Sequence, residues 1–473
     1  MLIIHIRKSV KFNLINLIIR SSRCNMNNIN NNPAYCGLSQ EQLDSHWMPY
    51  TGNRQFKKDP RLIVAAQGRY YTEATGRKIF DGLSGLWTCG AGHGRPEIAE
   101  AVSRQIKELD YSPAFQFGHP KSFELSHRIT ELMPDGLNRV FFTGSGSDSV
   151  ETALKIARGY WRKKGMASKT RFIGRAKGYH GVNFGGISVG GIGPNRALFG
   201  QGIEAGHIPH TILASNAFTK GMPDEGAYLA DNLEDMVALY DASNIAAVIV
   251  EPMAGSAGVI PPPVGYLKRL REICDKHNIL LIFDEVITAF GRMGSNTGAE
   301  KFGVVPDIMT VAKQLTNGVI PMGAVISKQE IYDTFMENAG PEYMLELPHG
   351  YTYSAHPVAC AAALATLDIL ATDKLPERVE SMAPHFQEML HSLNGSKHVS
   401  DIRNYGLAGA LTINAVPGQP ALRPYEIAMK CWQKGFYVRY GGDTIQLGLP
   451  FTVEPSEIDS LVNALGESLN ETD

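Results

Sequence analysis

No run in this chain reaches the ~20 apolar residues that a membrane-spanning helix requires, so no membrane insertion is expected. Neither sign of charge dominates: 45 Lys and Arg stand against 47 Asp and Glu, for a formal net charge of -2. The basic surface that would steer a protein toward nucleic acid is missing, and no nucleic-acid partner is expected. Cysteine is sparse. The six residues Cys24, Cys36, Cys89, Cys274, Cys360 and Cys431 form no C-x-x-C pair. Neither a disulfide framework nor a zinc site is expected from them, and a reducing compartment fits best. Acid is absent from the first forty residues, where Glu41 is still to come while Arg7, Lys8, Lys11, Arg20 and Arg23 sit among Ile and Leu. Such a start reads as a mitochondrial presequence, or as an extension ahead of a later start at Met26. Residues 1–37 are expected to lie outside the fold, disordered or as a non-native extension. The expected location is cytoplasmic, with the mitochondrial matrix second.

What is present points to a large core. Hydrophobic residues make up 44% of the 473 and charged residues 19%, ordinary values for a globular protein. At ~150 residues per domain the length allows two to four domains. Short apolar runs recur from Val140 onward: Val140–Phe142, Ala246–Val250, Ile279–Phe283, Ile308–Val311 and Ala324–Ile326. Helix-like stretches alternate with them, including 148–163 and 265–277. Continuous apolar strands between helices indicate a buried parallel sheet of α/β type. After about Lys374 the pattern changes to a helix, short strands around Leu411 and Val438, and a terminal helix. The expected layout is a large α/β domain over 85–345 and a smaller α+β domain over 346–473, joined by 38–84.

Ligands of open α/β sheets bind outside the carboxyl ends of the strands. Three runs end in charged residues: Glu251, then Asp284-Glu285, then Lys313. Each alone is also explained by a strand end meeting solvent; several together suggest a shared site. The turn Thr143-Gly144-Ser145-Gly146-Ser147-Asp148 follows a strand and opens a helix, where free N–H groups can hold a phosphate. It lacks G-x-x-x-x-G-K-[ST], which disfavours nucleoside triphosphates. Tyr179, after Arg171–Ile173, could stack on a flat heterocycle or pack in the core. A lysine, an aspartate, a phosphate cup and an aromatic plate together fit pyridoxal phosphate, which needs a lysine amine, a carboxylate at its ring nitrogen and donors for its phosphate.

With these residues in view, the chain resembles the class III aminotransferases of pyridoxal-phosphate fold type I. The stretches 281–292, Ala312-Lys313-Gln314-Leu315-Thr316-Asn317-Gly318, His349-Gly350-Tyr351-Thr352-Tyr353-Ser354 and Gly178-Tyr179-His180-Gly181 carry the likeness. Within the class the chain is most similar to the ω-amino acid (β-alanine)–pyruvate group, through Trp47-Met48-Pro49-Tyr50, 112–120 and 185–191. The resemblance implies that Lys313 holds the cofactor and shuttles a proton, and that Asp284 pairs with the ring nitrogen. It implies that Val286 and Tyr179 pack on the two ring faces, and that Ser145, Gly146 and Ser147 hold the phosphate. It places Thr352 at the phosphate of a neighbouring subunit, which implies a homodimer or homotetramer with active sites at the subunit interface. Trp87 would line the substrate pocket, with Arg439 receiving a substrate carboxylate and Gln446 beside it. Gly144, Asp148, Ala289 and Ala355 depart from the common class pattern, small changes that bear on fine tuning.

The implied reaction moves an amino group from a β-alanine-like ω-amino acid or an amine to pyruvate. It gives the aldehyde or oxo acid and L-alanine by a ping-pong route, and a mobile Arg439 could serve both substrates. Competing readings are a 2-oxoglutarate-dependent ω-aminotransferase, a pyridoxal-phosphate aminomutase, and a cofactor-binding protein without chemistry.

Overall fold

The structure, a computed structural model, describes residues 36–473. The expectation for residues 1–37 lies outside the described residues except at Cys36 and Gly37. Cys36 is disulfide-bonded. Cys89, Cys274, Cys360 and Cys431 are free, the last three buried as small hydrophobes. Among the described residues no helix is long and apolar enough to cross a membrane.

The chain divides into two compact units, one ending at Phe80 and one running from Asp81 to Asp473. The first contains the helices Gln40–Ser45 and Asn53–Phe56. Three strands follow: β1 (Ile63–Gln67), β2 (Tyr70–Glu73) and β3 (Lys78–Asp81). They form an antiparallel meander, Gln67 opposite Tyr70 and Tyr70 opposite Phe80. Ser39 starts the helix Gln40–Ser45 with a capping box, its hydroxyl taking the Gln42 N–H.

The second unit is built on seven strands: β4 (Leu137–Thr143), β5 (Arg171–Arg175), β6 (Ala205–Ile208), β7 (Ile245–Val250), β8 (Leu280–Asp284), β9 (Ile308–Val311) and β10 (Gly323–Lys328). Their order across the sheet is β4-β10-β9-β8-β7-β5-β6. The pairs β9-β8, β8-β7, β7-β5 and β5-β6 are parallel, as the apolar runs predict. Every residue of β7 and β8 is buried. Burial of each Val, Ile, Leu or Phe there stabilises by ~1.5–3 kcal/mol relative to exposure. β10 departs from the parallel pattern and runs antiparallel to both neighbours. Its link to β9, residues 312–322, is too short for the helical crossover that parallel pairing needs.

The helix Gly146–Lys163 covers one face, burying Val150, Ala153, Leu154, Ala157 and Trp161. Trp161 also donates its indole N–H to the carbonyl of Ala246 on β7 at 2.7 Å. The helix Tyr266–Lys276 begins after Gly265 in a left-handed conformation, close to the predicted start. A second sheet comes from β11 (Val399–Tyr405) and β12 (Ala408–Ile413) with β14 (Arg439–Gly441) and β15 (Thr444–Gly448); the two-residue strand β13 (Phe436–Tyr437) precedes β14 in the chain and is not part of it. The antiparallel order is β11-β12-β15-β14, and it sets Arg439 directly opposite Gln446.

Candidate active site

Six strands of the large sheet share one direction, so their carboxyl ends meet along one rim. Ser145 follows β4, Tyr179 follows β5, Glu251 follows β7, Asp284 closes β8 and Lys313 follows β9. The scattered motifs converge because each sits at such an end.

Asp284 is the most constrained of them. It is buried, and its Oδ1 accepts from the Thr310 hydroxyl at 3.1 Å and from the Val286 N–H at 3.2 Å. Its Oδ2 meets Nδ1 of His180 at 2.8 Å. A carboxylate has about four acceptor positions, so these three bonds leave one open. Thr310 reaches it because β8 and β9 pair with Asp284 opposite Thr310.

Lys313 opens a 3-10 turn directly after β9 and Ala312, with φ of 46°. Burial pulls its amine down to about 8 against the opposing pull of the Asp284 and Glu251 carboxylates; the Arg439 and Arg292 charges push the same way as burial. The amine is therefore readily neutral, as a lysine needs to be to attack a carbonyl. Glu251 is buried, and loss of hydration raises its pKa, with Asp284 adding to the rise. Its carboxylate accepts the Tyr179 N–H at 3.0 Å and the Gly255 N–H at 2.9 Å. It thereby anchors the turn that carries Tyr179.

The helix Gly146–Lys163 begins at Ser145, whose hydroxyl accepts the Asp148 N–H at 3.2 Å. Its first N–H groups have no partner within the helix and lie at the positive end of its dipole. Ser147 accepts the Val182 N–H at 3.2 Å, tying the loop after Tyr179 to this helix start. A Cβ on Gly181, at φ of +90°, would lie 2.5 Å from the Ser147 hydroxyl. A Cβ on Gly146 would lie 2.9 Å from Val286 and 3.5 Å from the Ala312 methyl, so the helix start, Val286 and the lysine turn close on one space.

Two side chains past Lys313 brace the facing loop. Gln314 Oε1 accepts the Gly90 N–H at 2.7 Å, and Asn317 Oδ1 accepts the Ala91 N–H at 3.0 Å. This fixes the loop after Trp87. Trp87 is buried at φ of +66°, and a Cβ on Gly448 would press 2.4 Å from its ring. The Arg292 guanidinium lies 5.5 Å from the same ring and 4.6 Å from that of Phe451. Gln446 is buried and donates to the Ser256 carbonyl at 2.9 Å, while its Oε1 has no partner among the described residues. Thr352 stands apart on an exposed loop, its carbonyl accepting the Tyr111 hydroxyl at 3.0 Å.

The structure thus brings Lys313, Asp284, Val286, Tyr179, Ser145, Gly146 and Ser147 to one rim, with the Arg439 charge acting on Lys313. Sequence reasoning gave no role to Thr310, Gln314, Asn317 or His180. His180 stood inside the quoted Tyr179-His180-Gly181, yet only the pairing of β8 with its neighbours reveals what it faces. The open acceptor position of Asp284, the free helix start and the glycine-lined gap at Val286 suit pyridoxal phosphate.

Residues 51–469 match the family described as aminotransferase class-III. The chain is a class III aminotransferase. Enzymes of this class depend on pyridoxal phosphate, and the fold is that of its solved members. One of these is an amine transaminase from an uncultivated Pseudomonas species, solved with pyridoxal phosphate bound. It is 37% identical, with a TM-score of 0.83 over 90% of this chain and 99% of that one. A β-alanine–pyruvate aminotransferase of Pseudomonas aeruginosa is 62% identical over 91% of this chain and 97% of its own length. An ω-amino acid–pyruvate aminotransferase of Pseudomonas putida is 60% identical over 93% of this chain and 99% of its own. This class III aminotransferase thus matches relatives along almost their whole length.

Proposed function

We propose that the enzyme transfers the amino group of a β-alanine-like ω-amino acid, or of a simple amine, to pyruvate in two half-reactions, releasing L-alanine. The observation that carries the chemistry is Lys313 at the end of β9 next to β8, which ends in a buried Asp284 with one acceptor position open. The β-alanine–pyruvate and ω-amino acid–pyruvate relatives support the choice of substrates.

Bound pyridoxal phosphate supplies an electron sink that lets the C–H next to the amine lose its proton. The chain's residues do the rest. Lys313 Nζ takes the proton from the donor's amine-bearing carbon and later delivers one to the carbon of the new alanine. Asp284 holds the proton on the ring nitrogen. The N–H groups at Gly146 and Ser147, with the Ser145 hydroxyl, hold the phosphate. Tyr179 and Val286 hold the ring faces. Arg439 binds the pyruvate carboxylate through a two-pronged charged hydrogen bond. It then adapts to ω-donors, whose carboxylate lies further from the amine. Trp87 and Gln446 shape the pocket.

With β-alanine and pyruvate, Lys313→Ala is expected to lose alanine formation by several orders of magnitude. Unchanged turnover would overturn the assignment. Running the same assay on the unaltered enzyme with 2-oxoglutarate separates the acceptors: glutamate forming in place of alanine would refute pyruvate.

We also propose a homodimer, or a homotetramer of two such dimers, that completes the site with Thr352 of the adjoining subunit. Support comes from an exposed aromatic surface around that loop. Tyr111, Phe115, Phe117 and Tyr353 are 39%, 52%, 62% and 65% exposed, and the rings of Tyr111 and Tyr353 sit 6.3 Å apart. A Cβ on Gly350 would lie 2.8 Å from Phe115, so this aromatic cluster and the Thr352 loop form one surface. Patches of this kind mark interaction sites. Sedimentation at two or four times the 51.7 kDa chain mass is expected, and a fully active monomer would refute the proposal.

A further inference from the structure

We infer that His180 is a positioning residue for Asp284, fixing the one carboxylate orientation that leaves an acceptor position open to the cofactor's ring nitrogen. The inference rests on the reading of the chain as a pyridoxal-phosphate enzyme and deepens it.

The His180 side chain is 1% exposed, so its polar atoms must be answered within the protein. Among the described residues its only hydrogen-bond partner is Asp284, at 2.8 Å from Nδ1. A carboxylate can only accept, so Nδ1 carries the hydrogen. Among the described residues Nε2 has no protein partner. It lies close to Gly178, where a Cβ would come within 3.1 Å. The ring borders a cavity of about 10 Å³ shared with Gly178, Ile187 and Asn195, room for about one water. No other side chain therefore draws the imidazole away from Asp284.

The backbone around it is equally committed. The Tyr179 N–H is tied to Glu251, and a Cβ on Gly186 would lie 2.3 Å from the His180 carbonyl. The backbone that carries the ring is thus held on both sides in the chain. The charged groups in range are Asp284 and Glu251, whose carboxylates face it from the ends of β8 and β7, and His207 and Arg175 nearby.

Asp284 needs this help. Thr310 and Val286 both bond Oδ1, so without His180 nothing among the described residues holds Oδ2, and the carboxylate is free to turn its open position away. Loss of an orienting partner behind a functional ligand lowers function by 10- to 100-fold at metal sites, and a similar loss is expected here.

The test uses the dimeric or tetrameric holoenzyme loaded with cofactor labelled with 15N at the ring nitrogen, read by NMR. Unaltered enzyme is expected to show a protonated ring nitrogen. His180→Phe keeps volume and removes the donor; its resonance should move toward the unprotonated position, with the β-alanine half-reaction slowed about 10- to 100-fold. His180→Asn sets an amide N–H where Nδ1–H was, and should restore the resonance and most of the rate. Should the Phe variant not load, His180→Gln, whose amide reaches past Nδ1, takes its place. An unmoved resonance in the Phe or Gln variant would overturn the inference, whatever the rate. So would equal displacement in the Asn variant. If unaltered enzyme binds no cofactor, the cofactor reading itself has failed, and that result is distinct from either outcome.

Discussion

Lys313 stands on a backbone that resists it. A non-glycine residue at φ of 46° costs on the order of 1–3 kcal/mol unless its surroundings impose it, and such residues gather at active sites. Here Gln314 and Asn317 impose it by locking the turn to the 90–92 loop. The same burial that shapes the turn lowers the amine to about 8. The sign follows directly: burial penalises the ammonium, so the neutral, nucleophilic form dominates above about 8 rather than above the usual lysine value near 10.4. Adding pyridoxal phosphate to cofactor-free protein across a pH series should give a loading rate that climbs through a midpoint near 8. A midpoint near 10 would mean that the amine is not desolvated. At this scale the identities of Lys313 and Asp284 were legible in the sequence, because each ends an apolar run. The partners that tune them were not: Thr310 and His180 reach Asp284 only through strand pairing and a loop return, which no local pattern encodes.

The elements themselves were largely legible. β7 and β8 are continuous apolar runs, the pattern of strands buried on both faces, and their bounds fall within a residue or so of the expectation. The helix after β4 starts earlier than expected, at Gly146 rather than Asp148, because Ser145 caps it. That shift matters, since it puts the N–H groups of Gly146 and Ser147 at the helix start, where an anion would be held. β6 was missed: Ala-Gly-His-Ile at a sheet edge carries neither alternation nor a long apolar run. The reversal of β10 was not foreseen either, because direction depends on connection length rather than on the strand's own residues. It has a consequence for the site: β10 points its amino end to the rim, where a Cβ on Gly323 would lie 2.6 Å from the Ser145 carbonyl. Gly323 thereby lets the Ser145 turn close against the sheet.

At the scale of the molecule, the weak net charge and the long core say what kind of protein this is, and the rim says what it does. Fold alone would not have chosen a reaction, since one fold serves many. The choice rests on the convergence of Lys313, Asp284 and the free helix start, and then on relatives that match nearly end to end. The proposed assembly was read from resemblance alone, and the surface it would use carries the exposed ring of Tyr353 next to Thr352. The most direct measurement of the whole account is the visible absorbance of purified enzyme loaded with pyridoxal phosphate, recorded before and after β-alanine and again after pyruvate. The account predicts a band from the lysine-bound cofactor that bleaches with β-alanine and returns with pyruvate. No band after loading, or a band that β-alanine leaves untouched, would contradict it.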